Sequence, residues 1–149
     1  MLNHELDKVV YEQIVQAPIA DLPNGSTLPA TYIDVSEYDY FAFDMILGAT
    51  DRTNTKIQVV QATDNAGTGS KDIRGAVNTA LGATDDNKMV RVQCRASALD
   101  TANGFRYVAV TITNTGGTAA MGTILFRGWR ARNLPVTQPA AFAEIVRVQ

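Results

Sequence analysis

Apolar and polar residues alternate along the middle of the chain, and a period of two is typical of strands that bury one face. The first such run, YDYFAFDMIL, places large apolar residues on one face: Phe41, Phe43, Met45 and Leu47. Its other face carries Tyr38, Tyr40, Ala42 and Ile46, interrupted by Asp44. Because aromatic residues lie on both faces, we expect an opposing sheet or a partner subunit to cover the second face as well.

Further alternating runs predict strands downstream: KIQVVQAT from Lys56, MVRVQCRA from Met89 and FRYVAVTIT from Phe105. In the run from Met89, an apolar face is formed by Val90, Val92, Cys94 and Ala96. The thiol of Cys94 is therefore predicted to be buried and to behave as a small hydrophobic group.

Turn signals separate these runs. NTGG at Asn114–Gly117 predicts a hairpin, because Asn and Gly accept the positive φ angles of tight hairpin turns. The returning strand is MGTILFRGWRA, with Leu125, Arg127 and Trp129 on one face and Ile124, Phe126 and Gly128 on the other.

DNAGTGS at Asp64–Ser70 predicts a loop. The one interior segment with a helical pattern is Ile73–Leu81, for which we predict a short helix.

Several short strands with almost no helix predict an all-β chain, a single β-sandwich or jelly-roll-like domain with extended terminal arms. Pro18, Pro23 and Pro29 punctuate the first residues, so 1–30 is predicted as an extended arm, with a short strand at Tyr11–Val15 as an alternative. The sandwich domain is assigned to 31–134. Residues 135–149, with the strand-like Glu144–Val148, are a C-terminal arm or an edge strand.

Composition narrows the classes of function. The 149 residues contain 46% hydrophobic and 19% charged residues, as in a folded domain rather than a disordered chain. A net charge of −2 gives no basic excess for a phosphate backbone, so no nucleic-acid partner is predicted. No apolar run is long enough for a membrane span, and the amino terminus lacks the pattern of a signal peptide, so we predict no membrane partner and synthesis in a cytoplasm.

Catalytic chemistry is difficult to assemble from these residues. Nucleophilic catalysis would require the single cysteine, Cys94, or a serine to meet the single histidine, His4. Carboxylates near the aromatic strand and in the Asp85–Asp86 turn are typical of solvated faces, and GTGSK at Gly67–Lys71 lacks the spacing of a phosphate-binding loop. We therefore predict no enzyme activity, no catalytic residue, no cofactor and no metal site.

Aromatic and arginine residues give the strongest indication of a binding surface. Trp and Arg are enriched at the centres of protein interfaces, and three arginines flank the single tryptophan. The predicted interface residues are Tyr38, Tyr40, Arg127, Trp129, Arg130 and Arg132.

The order of the strand sequences resembles a family of small structural proteins of tailed bacteriophages. IDVSEYDYFAFDMILGA is followed by KIQVVQATD, MVRVQCRA and FRYVAVTITNTGGTAAMGTILFRGWRARNLPV, so the resemblance covers about Ile33 to Val136. It departs from the family at DNAGTGSKDI, where an aromatic residue often follows the acidic loop. Members are commonly described as capsid decoration (cement) proteins.

The resemblance implies a β-sandwich or jelly-roll subunit, a homotrimer, that binds the major capsid protein on the outside of the virion and stabilises the shell. Two alternatives remain open at this point. One is a head–tail connector or tail component, and the other is a carbohydrate- or receptor-binding β-sandwich that uses exposed tyrosines.

Overall fold

A computed structural model describes residues 9–133 and 135–139 and confirms the prediction of an all-β chain. Short 3₁₀ turns occur at Ala83–Asp85, Ala96–Ala98 and Thr101–Asn103. No helix in these described ranges is both long and apolar enough to cross a membrane. The strands are β1 (Val10–Ile19), β2 (Thr27–Asp34), β3 (Tyr38–Thr50), β4 (Asn54–Ala62), β5 (Lys71–Val77), β6 (Met89–Arg95), β7 (Tyr107–Thr115) and β8 (Ala120–Ala131).

The strands form two antiparallel sheets packed face to face. Sheet A has the order β1-β8-β3-β6 and sheet B the order β2-β7-β4-β5. The pairs β1–β8, β2–β7, β3–β6 and β4–β5 are nested, which is the strand pairing of a jelly roll. The predicted β-sandwich or jelly-roll fold is therefore confirmed.

The core lies between the sheets and is centred on the aromatic residues of β3 and β8. The Phe126 ring centroid lies 5.2 Å from that of Phe43 and 6.3 Å from that of Phe41, and all three side chains are fully buried. The inward residues of β4 and β7 complete this cluster: Ile57, Val59, Val108, Val110 and Ile112. The alternation predicted for β3 and β8 is thus observed, because the inward residues Phe41, Phe43 and Met45 of β3 and Ile124 and Phe126 of β8 are all fully buried.

The predicted hairpin at Asn114–Gly117 is wrong. A turn is present, with positive φ at Gly116 and Gly117, but β7 belongs to sheet B and β8 to sheet A. The turn is therefore an arch between the sheets, and β7 pairs with β2 and β4 instead. Among the described strands, the only consecutive pair that forms a hairpin is β4–β5, joined through the predicted loop at Asp64–Ser70.

Gly117 is essential to this arch. Its φ of 144° is unfavourable for residues with a side chain, and a Cβ added here would lie 2.4 Å from the carbonyl oxygen of Asp51. We expect Gly117→Ala to destabilise the protein by about 2–4 kcal/mol, from backbone strain and the steric clash together. Gly25→Ala is the matched control, because Gly25 also has a positive φ but has open space around it. Equal losses for the two variants in urea unfolding would contradict this account of the arch.

The predicted helix over Ile73–Leu81 is also wrong, because residues Lys71–Val77 form β5 at the edge of sheet B. Ile73 and Ala76 face the core, and Gly75 between them has a φ of 79°, which a helix does not allow. Just after β5, the side chain of Asn78 continues the pairing with β4, because its Oδ1 accepts the backbone N–H of Ile57 at 2.7 Å.

Part of the segment predicted as an N-terminal arm is an integral strand. β1 pairs with β8 from Val10↔Trp129 to Ile19↔Gly122, so the alternative strand at Tyr11–Val15 is observed and extends beyond its predicted ends. The reason is that the inward Tyr11 packs on the core ring of Phe126, at a centroid distance of 6.0 Å. On the edge of β1 that does not pair with β8, the Gln138 side chain accepts the Glu12 N–H at 3.1 Å. Residues 1–8 and the strand-like Glu144–Val148 lie outside the described residues.

Candidate functional site

The outer face of sheet A carries three of the six predicted interface residues, namely Tyr40, Arg127 and Trp129. Register places side chains of all four strands in rows across this face. The first row is Val10, Trp129, Tyr40 and Arg95; the second is Glu12, Arg127, Ala42 and Gln93; the third is Ile14, Leu125, Asp44 and Arg91; the fourth contains Thr123, Ile46 and Met89.

A network of charged side chains occupies the centre of this face. Asp44 is fully buried although it points outward, because two arginines cover it. The Arg91 guanidinium donates two hydrogen bonds to it, at 2.6 and 2.8 Å, and Arg127 Nη1 lies 3.3 Å from Asp44 Oδ2. Arg127 Nε lies 2.6 Å from a carboxylate oxygen of Glu12. Hydrogen bonding to Asp44 raises the pKa of Arg91. Because its members come from β1, β8, β3 and β6, the network links all four strands of sheet A by charge as well as by backbone pairing.

One end of the face is apolar and exposed. Ile14, Ile46, Met89 and Met121 have exposed fractions of 49, 37, 57 and 47%, and they come from all four strands of sheet A. Met121 lies over Gly48, where an added Cβ would come within 2.9 Å of its sulfur. Exposed apolar side chains grouped on one sheet face are typical of a surface that another molecule covers. We call this group the apolar end of sheet A.

The other end of the face is aromatic and basic. The Tyr40 and Trp129 rings stack with centroids 5.9 Å apart and an angle of 8° between their planes. The guanidinium carbons of Arg95 and Arg130 each lie 5.5 Å from the Tyr40 centroid. Cation–π contacts of this kind orient the two arginines and keep their donors available for a partner.

Beyond this end, a cleft opens between the β2–β3 turn, the β6–β7 connection and the end of β8. This open cleft has a volume of about 690 Å³, and it is lined by Arg95, Arg106, Arg130 and Arg132. Its apolar lining includes Val35, Leu99 and Phe105, which are buried. We call it the arginine cleft.

The predicted interface residues separate into three groups. Tyr40, Trp129 and Arg127 lie on the outer face of sheet A, whereas Arg130 and Arg132 line the arginine cleft. Tyr38 does not belong to the surface: it is buried, its ring packs against Gly128, and its pKa is raised to about 12, mainly because burial disfavours the phenolate. Its position at the start of β3 lets the ring turn into the core, which the alternation did not predict.

Sequence reasoning missed the residues contributed by other strands. Arg91 and Arg95 occupy the polar positions of β6, so the alternation identified their face but not their role. Asp44, which interrupts an apolar face, was the available signal for a paired charge. Arg106, the residue before β7, lines the cleft because of how the chain folds, and no local sequence pattern indicated this position.

The thiol and the carboxylates show structural roles. Cys94 is buried as predicted, and burial raises the pKa of its thiol to about 11, so it is not a thiolate at neutral pH. Asp85 accepts the Gly82 N–H, and Asp86 accepts the Thr50 N–H at 2.8 Å. Lys71, the last residue of GTGSK and the first of β5, pairs with Asp100 at 2.6 Å. Across residues 9–133 and 135–139, no three His, Cys, Asp or Glu side chains are grouped to hold a metal ion.

Two carboxylates accept hydrogen bonds from the backbone of the arch between β7 and β8. Backbone N–H groups of Ala119 and Thr118 donate to Asp51 and lower its pKa, and the Ala120 N–H contributes most to the lowered pKa of Asp21. Asp21 and Asp51 thereby anchor the arch between β7 and β8.

The pH dependence of stability follows from these shifts. A carboxyl group whose pKa is lowered by folding stabilises the folded state above its unfolded pKa, and that contribution is lost as the pH falls through the folded value. Because the pKa values of Asp21, Asp51, Asp64, Asp85 and Asp100 are all lowered, we expect a constant Tm between about pH 7 and 5 and a decrease below about pH 4. Thermal unfolding by circular dichroism measures this. A Tm that rises on acidification to pH 3 would contradict these assignments.

Comparisons with known proteins identify no family. No protein-family model and no curated protein matches the chain. Solved structures match weakly: a Bacillus endospore appendage that forms disulfide-linked pili has 13% identity over 82% of this chain and 89% of its own, with a TM-score of 0.35. A protein of infectious bursal disease virus, Gt strain, has 11% identity over 86% of this chain and a TM-score of 0.39, and this chain spans about a third (34%) of its length. PirA has 14% identity over 87% of this chain and 100% of its own, with a TM-score of 0.34.

Proposed function

We propose that the protein is a non-enzymatic virion structural protein that decorates the outer surface of a tailed-phage capsid and stabilises it by binding the major capsid protein. The observation that carries this proposal is the outer face of sheet A. This four-stranded face presents exposed apolar side chains at one end and stacked aromatic and arginine side chains at the other. That composition is typical of a surface buried against another protein.

The partner is inferred from the sequence resemblance over Ile33–Val136. The jelly roll itself hosts many unrelated functions, so the fold alone does not identify the partner. The apolar end of sheet A supports a protein partner, because covering Ile46 and Met89 would remove exposed apolar surface from water. A sugar-binding role for Tyr40 is less favoured, since Trp129 stacks on its ring and Arg95 and Arg130 lie close to it.

Binding to empty shells tests this function. Purified protein is added to capsids assembled without it, and co-sedimentation gives the affinity. We expect Met89→Asp to weaken binding by about tenfold or more, because it places a charge in a desolvated contact. Val77→Asp is the matched control: Val77 is 43% exposed but lies on β5 of sheet B. No binding by the unmodified protein, or equal weakening by both variants, would contradict the proposal.

We further propose that the protein forms a homotrimer, as the resemblance implies, because closed rings of identical subunits suit the local symmetry of a shell. Light scattering at tens of micromolar measures the mass directly. A clean monomer would contradict the trimer, and a hexamer or dodecamer would favour a head–tail connector.

A further inference from the structure

The arginine cleft concentrates positive charge in a protein whose net charge is −2. Four of its lining residues are arginines, whereas Asp39 is the one carboxylate among the described lining residues. Within the described parts of the chain, no carboxylate forms an ion pair with Arg95 or Arg132. The cleft therefore has cationic groups that its own carboxylates do not neutralise.

The two ion pairs formed by arginines of the cleft have long nitrogen–oxygen distances. Arg130 Nε lies 3.7 Å from Asp39, and Arg106 Nε lies 3.3 Å from Asp34. By contrast, the Arg91–Asp44 contact on the adjacent face is bidentate, with both distances under 3 Å. Exposed, poorly aligned pairs contribute little to stability, so their arginines can exchange one carboxylate for another at low cost.

The backbone also directs an arginine into this region. Arg130 has a φ of 53°, in the left-handed region that residues with a Cβ rarely adopt. It lies between Trp129, on the outer face, and Ala131, which packs against the core. This conformation brings the guanidinium beside both Tyr40 and Asp39, at the rim of the cleft.

The shape of the cleft favours a ligand larger than a simple ion. Its volume of about 690 Å³ is in the range of small-molecule sites, and the nearly buried side chains of Val35, Leu99 and Phe105 form an apolar floor. The arginines come from the end of β6, the residue before β7 and the end of β8, so they surround the cleft instead of converging from one strand.

We propose that the arginine cleft binds an acidic peptide segment of a partner protein, with several Asp or Glu side chains paired to its guanidinium groups. Guanidinium groups bind carboxylates bidentately, and the apolar lining accommodates the aliphatic parts of the segment. This proposal does not depend on capsid decoration, because it concerns the isolated protein and a ligand class defined by charge. The two proposals can therefore fail separately.

Tryptophan fluorescence and calorimetry with a synthetic peptide test it. Trp129 is the only tryptophan and stacks on Tyr40, which lines the cleft, so binding there should alter its emission. The probe is a blocked hexaglutamate peptide, and the uncharged control is hexaglutamine. We expect saturable binding of hexaglutamate that weakens with added salt, and no binding of hexaglutamine.

Arginine variants locate the site. Because each guanidinium group forms charge-assisted hydrogen bonds to a carboxylate, we expect the double variant Arg95→Gln/Arg132→Gln to weaken hexaglutamate binding by about tenfold or more. Arg74→Gln is the matched control, because Arg74 is an exposed arginine of β5 that does not line the cleft. Unchanged melting temperatures for both variants would show that the loss comes from the cleft and not from unfolding.

Three results would overturn the proposal. The first is no hexaglutamate binding by calorimetry. The second is an equal loss in Arg74→Gln, which would indicate general charge attraction. The third is tighter binding of inorganic phosphate or of a single-stranded oligonucleotide than of hexaglutamate, which would assign the cleft to a different anion.

Discussion

Replacing Phe126 by alanine should lower the free energy of unfolding by about 3–5 kcal/mol and the Tm by about 10 °C. Phe126 is fully buried, and its ring meets those of Phe41, Phe43 and Tyr11, so truncation leaves a cavity that the neighbouring rings on β1 and β3 cannot fill. This is the largest effect that we expect from a single truncation, because the side chain joins β1, β3 and β8 in one cluster.

Leu125→Ala is the control for Phe126→Ala. Leu125 is the preceding residue of β8, but it lies on the outer face and is only partly buried. Its truncation should cost about 1 kcal/mol, since less apolar surface returns to water. Guanidinium unfolding of both variants measures the difference, and a larger loss for Leu125→Ala would mean that the two faces of β8 have been assigned the wrong way round.

Replacing Asp44 by alanine should destabilise the protein by about 2–3 kcal/mol. The substitution removes the carboxylate that separates Arg91 and Arg127, and leaves two guanidinium groups facing each other. Their side chains are 40 and 33% exposed, so water can partly replace the lost partner, and the effect stays below that of breaking a fully buried pair.

Asp39→Ala is the matched control on the same strand. Asp39 is exposed and lies 3.7 Å from Arg130, so its removal should change stability by less than about 1 kcal/mol. Arg91→Ala combined with Asp44→Ala measures the coupling between the two charges in a double-mutant cycle. Equal stability losses for Asp44→Ala and Asp39→Ala would show that the central network does not stabilise the sheet.

The strands of this fold were largely predictable, because alternation is a local property of the sequence. Alternation sorted the residues of β3 and β8 into two faces, with Phe41 and Phe43 on one face of β3 and Phe126 on one face of β8, and the burial of Cys94 followed from its neighbours in β6. The same local pattern cannot say which strands pair. NTGG correctly indicated positive φ at Gly116 and Gly117, but the nested pairing of a jelly roll places β8 beside β1, more than a hundred residues away.

The site was predictable only in part, for the same reason. Tyr40, Trp129 and Arg127 were identified within their own strands, and the structure brings them onto one face. The partners that give these residues their role come from β6 and β1, which sequence spacing could not place beside them. Tyr38 was misassigned because alternation assumes a regular strand, whereas the ring at the start of β3 turns to cover Gly128.

A three-dimensional reconstruction of shells saturated with this protein tests the central claim most directly, because it shows both where the protein binds and which face it uses. The account predicts jelly-roll density on the outside of the shell, with the outer face of sheet A, including Ile46 and Met89, against the major capsid protein. Density confined to the portal vertex or the tail, or an outer face of sheet A that points into solvent, would contradict it.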